Sequence, residues 1–359
     1  MLHLTHDLPG IGGVLRQEPA DFDVTEIPAY EPCGSGDHLY LWIEKTGLGA
    51  EYFVQQLARR LRMNDRDIGV AGLKDRHAVT RQWISVPANV EANLPAIDGD
   101  GVKLLNVTRH TNKLRTGHLK GNRFRILIRN VEQSDTTKAN VAAILGRIQT
   151  QGLPNFYGPQ RFGRDGDTAA MGFRLLRGER IGRVPPFKLK LYLSAVQSQL
   201  FNECLEQRIQ DGLFRTVMAG DVMMKWPAGG LFVAEDVPTE QTRFDARETV
   251  MGGPMFGTSL FASKGEVFDR EAKVLAANNL TPESFGGFGK LLGGTRRHNV
   301  VYVDDLAAAW EPDGLRMTFT LPSGSYATVL LGEVMKEEVT DSPLPASGRG
   351  VGGEGESPG

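Results

Sequence analysis

Cysteine is scarce in this chain of 359 residues. Only Cys33 and Cys204 are present, and they lie far apart in the sequence. They provide neither a disulfide framework nor a CxxC pair for a metal. Because scarce, unpaired cysteines are typical of proteins from a reducing compartment, we expect a cytoplasmic protein.

Long hydrophobic runs are also missing. No segment reaches the roughly 18 consecutive apolar residues that a membrane-spanning helix requires. The chain begins Met-Leu-His-Leu-Thr-His-Asp, without a basic segment followed by an apolar core, so we expect no export signal. These absences predict a protein that neither enters a membrane nor leaves the cell.

Several standard catalytic motifs are absent. The segment 10–13 lacks the third glycine of a dinucleotide-binding fingerprint, and Gly289-Lys290 lacks both the leading glycine and the Ser or Thr of a phosphate loop. There is no GxSxG and no HExxH, and the seven histidines are scattered, so we expect no bound metal. A glycosidase with two catalytic carboxylates stays open, although no pair of acidic residues stands out.

The net charge is small, but charges are segregated along the chain. A formal charge of −2 argues against a nucleic-acid-binding protein that works through bulk charge. Yet residues 109–129 contain seven Lys or Arg and no acid, residues 161–190 contain eight against three acids, and Arg296-Arg297-His298 adds a third basic stretch. Each run alone fits a solvated face. Together they make RNA or DNA binding a hypothesis to carry forward.

The order of predicted elements indicates an α+β protein. Strands are expected at 21–26, 38–44 and 119–129, and a helix at 51–63. A second amphipathic helix carries a buried stripe formed by Val141, Ile144, Leu145 and Ile148. With 40% hydrophobic residues, the chain is long enough for two domains with proper cores.

The amino-acid composition changes near residue 155. Helices are expected near 193–211 and 264–279, and strands return at 300–303 and 315–321. A last helix follows, for which Ser323 or Ser325 is a plausible N-cap. We therefore predict a first domain formed by residues 1–154 and 300–340, with residues 155–299 inserted as a second domain. The tail at 341–359 is rich in glycine, proline and serine, and we expect it to be disordered.

Asp75 is the strongest candidate for a reactive residue. It lies between Lys74 and Arg76 in a turn that leads into an alternating run, and nearby cations would lower its pKa from about 3.9. An ionised carboxylate at a strand edge can act as a nucleophile or a base. The same residues also fit an ordinary solvated turn, so at this point both interpretations stay open.

Two further segments have the composition of RNA-binding sites. The strand at 119–129 places Phe124 on one face and Arg123 on the other, where phosphates could lie. Residues 155–163 interleave aromatic, amide and arginine side chains between glycines. Such a segment suits base stacking and phosphate contact, or else a structural turn.

Four motifs carry a resemblance to a known family. They are GLKDRHAVT at 72–80, KGNRF at 120–124, NFYGPQRFG at 155–163 and LPSGSYAT at 321–328. In this order, and with a fitting segment at 19–26, the chain resembles the TruD family of tRNA pseudouridine synthases from residue 16 to about 338. The resemblance covers everything except the tail.

The resemblance implies a fold and an activity. The expected fold is a pseudouridine-synthase-like catalytic domain, with a mixed or antiparallel sheet and flanking helices, plus an inserted α/β TruD-type domain. The two domains would form an RNA-binding cleft. Family members isomerise uridine 13 of certain tRNAs, so tRNA is the expected partner, with no cofactor and no obligate protein partner.

The resemblance also implies roles for individual residues. The catalytic aspartate falls on Asp75, the aromatic that packs on the target base on Phe124, and the asparagine that orients the aspartate on Asn122. The cation that pairs with the aspartate is usually lysine, and here this position is Arg16, which can bind a carboxylate through two nitrogens. Contacts to RNA are expected from eight basic residues: Lys74, Arg76, Arg115, Lys120, Arg123, Arg161, Arg296 and Arg297.

Two alternatives to this function stay open. The enzyme could modify another RNA, which the sequence does not distinguish from tRNA. A non-catalytic RNA-binding protein could use the same cleft, but it would not need Asp75, Asn122 and Phe124 together. Whether Asp75 attacks C1′, attacks the base or removes a ribose proton also stays open.

Overall fold

The computed structural model describes residues 2–163 and 166–337. The tail at 341–359, which is predicted to be disordered, lies outside the described residues. Within the described part of the chain, no helix is both long enough and apolar enough to cross a membrane.

Strands and helices are interspersed along the chain. The strands are β1 (Phe22–Pro28), β2 (His38–Thr46), β3 (Gly69–Val70), β4 (Val79–Pro87), β5 (Val102–His110), β6 (Leu119–Arg129), β7 (Leu153–Pro154), β8 (Val222–Lys225), β9 (Leu231–Val233), β10 (Thr249–Met255), β11 (Thr295–His298), β12 (Val300–Val301), β13 (Ala307–Glu311) and β14 (Gly314–Pro322). The helices are α1 (Ala50–Leu61), α2 (Asp135–Gln151), α3 (Asp167–Leu176), α4 (Pro186–Gln210), α5 (Val237–Asp245), α6 (Gly265–Ala277) and α7 (Ala327–Met335).

The largest sheet has eight strands. Seven follow the order β13-β14-β6-β1-β4-β2-β5, and β3 pairs with the edge of β4 beyond the end of β1. The pair β1 and β4 is parallel, whereas the other pairs of this sheet are antiparallel. The prediction of an α+β fold with a mixed sheet is therefore confirmed.

One face of this sheet is covered by helices. In β6 the side chains of Phe124, Ile126 and Ile128 are buried, while Arg123 and Arg125 are exposed on the other face, as their alternation predicted. The stripe of α2 is buried in the same apolar cluster as these residues, together with much of α7. A second cluster joins α1 to the inward side chains of β2 and β4.

The segment 155–299 contains strands and helices of its own. It forms a four-stranded sheet in the order β11-β10-β8-β9, and its helices α3, α4 and α6 contribute to a separate apolar cluster. Other side chains of this segment, such as Phe201 and Met251, belong to the cluster that contains Phe319 of β14. Apolar packing is thus continuous between the two sheets.

Two local predictions differ from the structure. Helix α4 begins at Pro186, before the predicted start near residue 193. Its first turns alternate Phe187, Leu189 and Leu191 with lysines, which resembles a strand, but proline at the first helical position favours a helix start.

The predicted serine N-cap of α7 is wrong. Tyr326 occupies the N-cap position and makes no capping bond with its side chain. The Ser325 hydroxyl instead donates to Oδ1 of Asn155 at 3.0 Å. A long-range hydrogen bond has thus replaced the local cap that the spacing favoured.

The aromatic packing beneath β6 leads to a stability prediction. Phe319 is fully buried, and its ring stacks on Phe124 with centroids 5.2 Å apart. We expect Phe319→Ala to lower the free energy of unfolding by about 3–5 kcal/mol, measured by urea denaturation. Phe268 on α6 is 49% exposed, and Phe268→Ala should cost less than about 0.5 kcal/mol. Equal losses in the two variants would contradict the packing described.

Candidate active site

The loop at 71–78 carries Asp75 and connects β3 to β4. Both β1 and β3 pair with β4, at residues 79–81 and 84–85 respectively, so the loop leaves the sheet between the ends of two strands. The Asp75 side chain is 41% exposed. It is therefore accessible to a ligand from solvent.

Lys45 holds the backbone of this loop from below. Its Nζ donates to the carbonyl oxygen of Asp75 at 2.8 Å and to that of Leu48 at 2.7 Å. The residue is only 1% exposed, and burial lowers the pKa of its ammonium to about 8, against the opposing effect of the negative charge on Asp75. Lys45 therefore ties the catalytic candidate to strand β2.

Lys74 forms a second buried anchor. Its Nζ lies 2.8 Å from the carboxylate of Glu26 on β1, and both side chains are almost completely buried. Another oxygen of Glu26 accepts the backbone N–H of Trp83 at 3.3 Å. The residue directly before Asp75 is thus attached to the neighbouring strand β1.

Arg16 provides the cation that faces the Asp75 carboxylate. One of its terminal nitrogens lies 3.5 Å from Oδ2 of Asp75, and its guanidinium lies 4.1 Å from the centroid of the Phe22 ring. Arg16 is buried, so this attraction is screened less than that of a surface pair. The geometry agrees with the pairing that the sequence predicts for Arg16.

Phe124 and Asn122 lie on the same face of the sheet as this pair. Phe124 is 7% exposed, stacks on Phe319 and meets Phe22 edge-on with centroids 6.3 Å apart. Oδ1 of Asn122 is buried and accepts no hydrogen bond from any described residue. Since it makes no bond to Asp75, the orienting role predicted for Asn122 stays a prediction.

Two of the predicted RNA contacts are corrected by the structure. Lys74 is buried against Glu26, and Arg296 is buried with its guanidinium on the carboxylate of Glu271. A cation that is buried in an ion pair cannot lie against a phosphate in solvent. The sequence showed both cations but gave no sign of their acidic partners.

The other six predicted contacts fall into two groups. Four have exposed side chains, namely Arg76, Arg115, Lys120 and Arg123. Arg161 and Arg297 are half-buried and already bound: Arg161 donates to the Ser198 hydroxyl at 3.0 Å, and Arg297 donates to Oδ1 of Asn155 at 2.7 Å. Arg161 and Arg297 therefore hold neighbouring segments together as well as contributing positive charge.

Arg297 joins two of the four motifs found in the sequence. Besides Asn155, it donates to the carbonyl of Gly324 at 2.8 Å, and its guanidinium lies 4.0 Å from the ring centroid of Tyr157. These partners belong to the segments 155–163 and 321–328. A single arginine thus connects the inserted segment with the loop that precedes α7.

Two buried residues of the site were missed in the sequence. Lys45 continues the inward line of Leu39, Leu41 and Ile43 in β2, which is the signal that could have revealed it. Glu26 likewise follows Phe22 and Val24 in the inward line of β1. A charged residue in phase with buried apolar neighbours indicates a buried ion pair or hydrogen bond.

Comparison with known proteins identifies a family. The family model described as tRNA pseudouridine synthase D (TruD) matches residues 1–185 and 179–334. A tRNA pseudouridine synthase D of Anaeromyxobacter dehalogenans is 45% identical over 342 residues, covering 93% of this chain and 96% of the relative. A tRNA pseudouridine synthase D of Thermus thermophilus is 42% identical over 353 residues, covering 97% of each.

A solved structure shares the fold. The crystal structure of a Methanosarcina mazei protein assigned as tRNA pseudouridine synthase D superposes with a TM-score of 0.78 at 25% identity, covering 94% of this chain and 96% of the other. The family model and the relatives both extend over nearly the whole described chain, including the Asp75 loop and β6. The chain belongs to the TruD family of tRNA pseudouridine synthases.

Proposed function

We propose that this enzyme isomerises uridine 13 of tRNA to pseudouridine, with Asp75 as the catalytic residue. The observation that carries the proposal is the half-exposed carboxylate of Asp75, held against the buried guanidinium of Arg16. Curated relatives named tRNA pseudouridine synthase D support tRNA as the substrate. The choice of position 13 rests on the resemblance of the motifs.

The reaction needs no reagent other than the substrate and the enzyme's own groups. The bond from N1 to C1′ breaks, the base turns, and C5 bonds to C1′. C5 then loses its hydrogen as a proton, and N1 gains a proton. Because atoms and electrons balance without an oxidant, reductant or second substrate, the enzyme must supply positioning, charge and proton transfer.

The site provides a carboxylate in a defined position. Lys45 fixes the backbone of Asp75, and Arg16 fixes the direction of its side chain. Attack on C1′, attack on the base and removal of a ribose proton all require an ionised carboxylate close to the sugar or base. Holding this group in place before the substrate arrives removes part of the entropic cost of the reaction.

The remaining residues suit a uridine that has left its stack. Extruding a base costs a few kcal/mol, which phosphate contacts from Arg76 and Arg123 and contact with the Phe124 ring would offset. Asn122 has an amide oxygen that no described residue uses, and uracil carries N–H donors. The two free cysteines suit a reducing compartment, and we infer that the enzyme works in the cytoplasm.

The first prediction from the proposed function concerns Asp75. With tRNA transcribed from 5-tritiated uridine, we expect the wild type to release tritium and Asp75→Asn to release it at least about 100-fold more slowly. Asp135→Asn is the matched control, because Asp135 is an exposed residue in the first turn of α2. Replacing uridine 13 by cytidine should abolish release by the wild type.

The outcomes of this assay separate the alternatives. Release by Asp75→Asn at the wild-type rate would remove Asp75 from the centre of the mechanism. Release that persists without uridine 13 would show that the protein is a pseudouridine synthase that modifies another uridine. No release from a full tRNA pool, with intact tRNA binding, would favour a binding protein.

The second prediction concerns Arg16. Arg16→Met should lower the single-turnover rate of tritium release by about 10- to 100-fold, because the carboxylate loses its positioning partner. Arg16→Lys keeps a positive charge and should retain most of the rate, while tRNA affinity stays near wild type in both variants. If the lysine variant were as slow as the methionine variant, packing on Phe22 rather than charge would explain the role of Arg16.

The third prediction concerns Lys45 and pH. Burial lowers the pKa of Lys45 to about 8 from 10.5, so between these values the unfolded chain binds more protons than the folded chain. The buried charge of Lys45 therefore lowers the free energy of unfolding by its full amount below pH 8. This destabilisation decreases as the pH rises and the folded chain loses the proton. Relative to Lys45→Met, the wild type should gain about 2 kcal/mol in free energy of unfolding between pH 7 and 9.5. Urea denaturation of both proteins across this range tests it, and parallel pH profiles would refute it.

A further inference from the structure

A cavity of about 910 Å³ lies at the end of β6, outside the site built around Asp75. One wall is apolar and includes Met224, Trp226 and Tyr302. Basic residues also line it, including Lys120 and Arg123 of β6. The cavity is therefore bounded by both the large sheet and the inserted segment.

The cavity lies beside the active site at the end of β6, and Leu321 of β14, which lies opposite Asn122, also lines it. Asn122 and Phe124 point to the face that carries Asp75, whereas Gly121 and Arg123 point to the opposite face and line the cavity. Four successive residues thus serve two sites. A flexible polymer bound at the active site can therefore reach the cavity at the end of the same strand.

The charges at the cavity favour an anionic ligand. Lys120 and Arg123 are exposed and form no ion pair with any residue in the described part of the chain. Both acidic lining residues are engaged: Asp304 pairs with Arg247, and Asp305 accepts the backbone N–H and the hydroxyl of Thr320. The cations are thus available to phosphate, and both neighbouring acids already have partners within the protein.

Trp226 provides a fixed aromatic surface in the same cavity. Its ring is half-buried and contacts His298 and Tyr302, with centroids 5.3 Å and 5.4 Å apart. Burial and the neighbouring Arg297 lower the pKa of His298 to about 4, so this imidazole is neutral at pH 7. An indole held by two aromatic neighbours, next to free cations, matches the combination that binds single-stranded nucleotides.

We propose that this cavity binds a second nucleotide of the same RNA, close in sequence to the target uridine. Its base lies against Trp226, and its phosphate lies against Lys120 and Arg123. The proposal rests on the proposed function, because it places the target uridine at Asp75. Its consequence is that the enzyme extracts two nearby nucleotides from the RNA, one at Asp75 and one in this cavity.

Abasic substitution provides a test that does not depend on catalysis. Full-length tRNA transcripts would each carry one abasic residue at one of the three positions on either side of the target uridine. Dissociation constants would be measured by filter binding for the wild type and for Trp226→Ala. Trp226→Phe keeps a ring, and Trp310→Ala removes a half-buried tryptophan from β13, outside the cavity.

We expect the losses of tRNA affinity from the two changes to be non-additive. At one position the abasic residue should weaken binding to the wild type by between about fivefold and 150-fold, and Trp226→Ala should weaken binding of intact tRNA similarly. The two changes together should cost no more than either alone. Trp226→Phe should recover most of the affinity, and Trp310→Ala should bind as the wild type does.

Other results would overturn the inference. Unchanged affinity in Trp226→Ala would show that the indole does not contact RNA. If the losses of affinity from Trp226→Ala and from the abasic residue multiplied at all six positions, Trp226 would act through the fold. A melting temperature lowered in both Trp226→Ala and Trp226→Phe would show the same. Failure of the wild type to bind intact tRNA would instead refute the proposed function, and this outcome is visible before any substitution is made.

Discussion

Three buried cations, one within the Asp75 loop and two that contact it, are the constraint on which the site depends. Arg16, Lys45 and Lys74 are all removed from solvent, although a buried charge is costly unless it is paired or hydrogen-bonded. Glu26 compensates Lys74, two carbonyl oxygens bind Lys45, and Asp75 faces Arg16. The carboxylate that we propose as catalytic is therefore also a counter-charge, and the loop must adopt one conformation for these contacts to form together.

The parallel pairing of β1 with β4 explains how this arrangement arises. β1 and β3 both pair with β4, so the chain between β3 and β4 must cross near the end of β1, where Glu26 lies. The antiparallel neighbours on the other side of β1 then bring in β6 and β14, which place Phe124 opposite Val24 and Phe319 opposite Phe124. Motifs that are distant in sequence meet because this one sheet has a fixed register.

Periodic features of the site were predictable from the sequence, whereas its long-range pairs were not. Alternation correctly separated Phe124 from Arg123, and spacing found the buried stripe of α2. Lys74 and Arg296 were assigned to the surface because a cation is usually exposed and its acidic partner lies far away in the chain. The predicted serine cap of α7 was wrong for the same reason, because the Ser325 hydroxyl bonds to Asn155 from a distant segment.

The division of β6 between two sites depends on a register that cannot slip. A shift of one residue would exchange Asn122 and Phe124 for Gly121 and Arg123 and would place arginine against the Phe22 ring. Gly121 opposes this shift, because a Cβ added at this position would lie 2.4 Å from the carbonyl oxygen of Leu321 on β14. Only glycine permits so close an approach of the two strands, so any other residue moved into this position would push β14 away. The glycine of the KGNRF motif therefore acts on both faces at once: it keeps Phe124 against Phe22 and Phe319 and keeps Arg123 at the cavity.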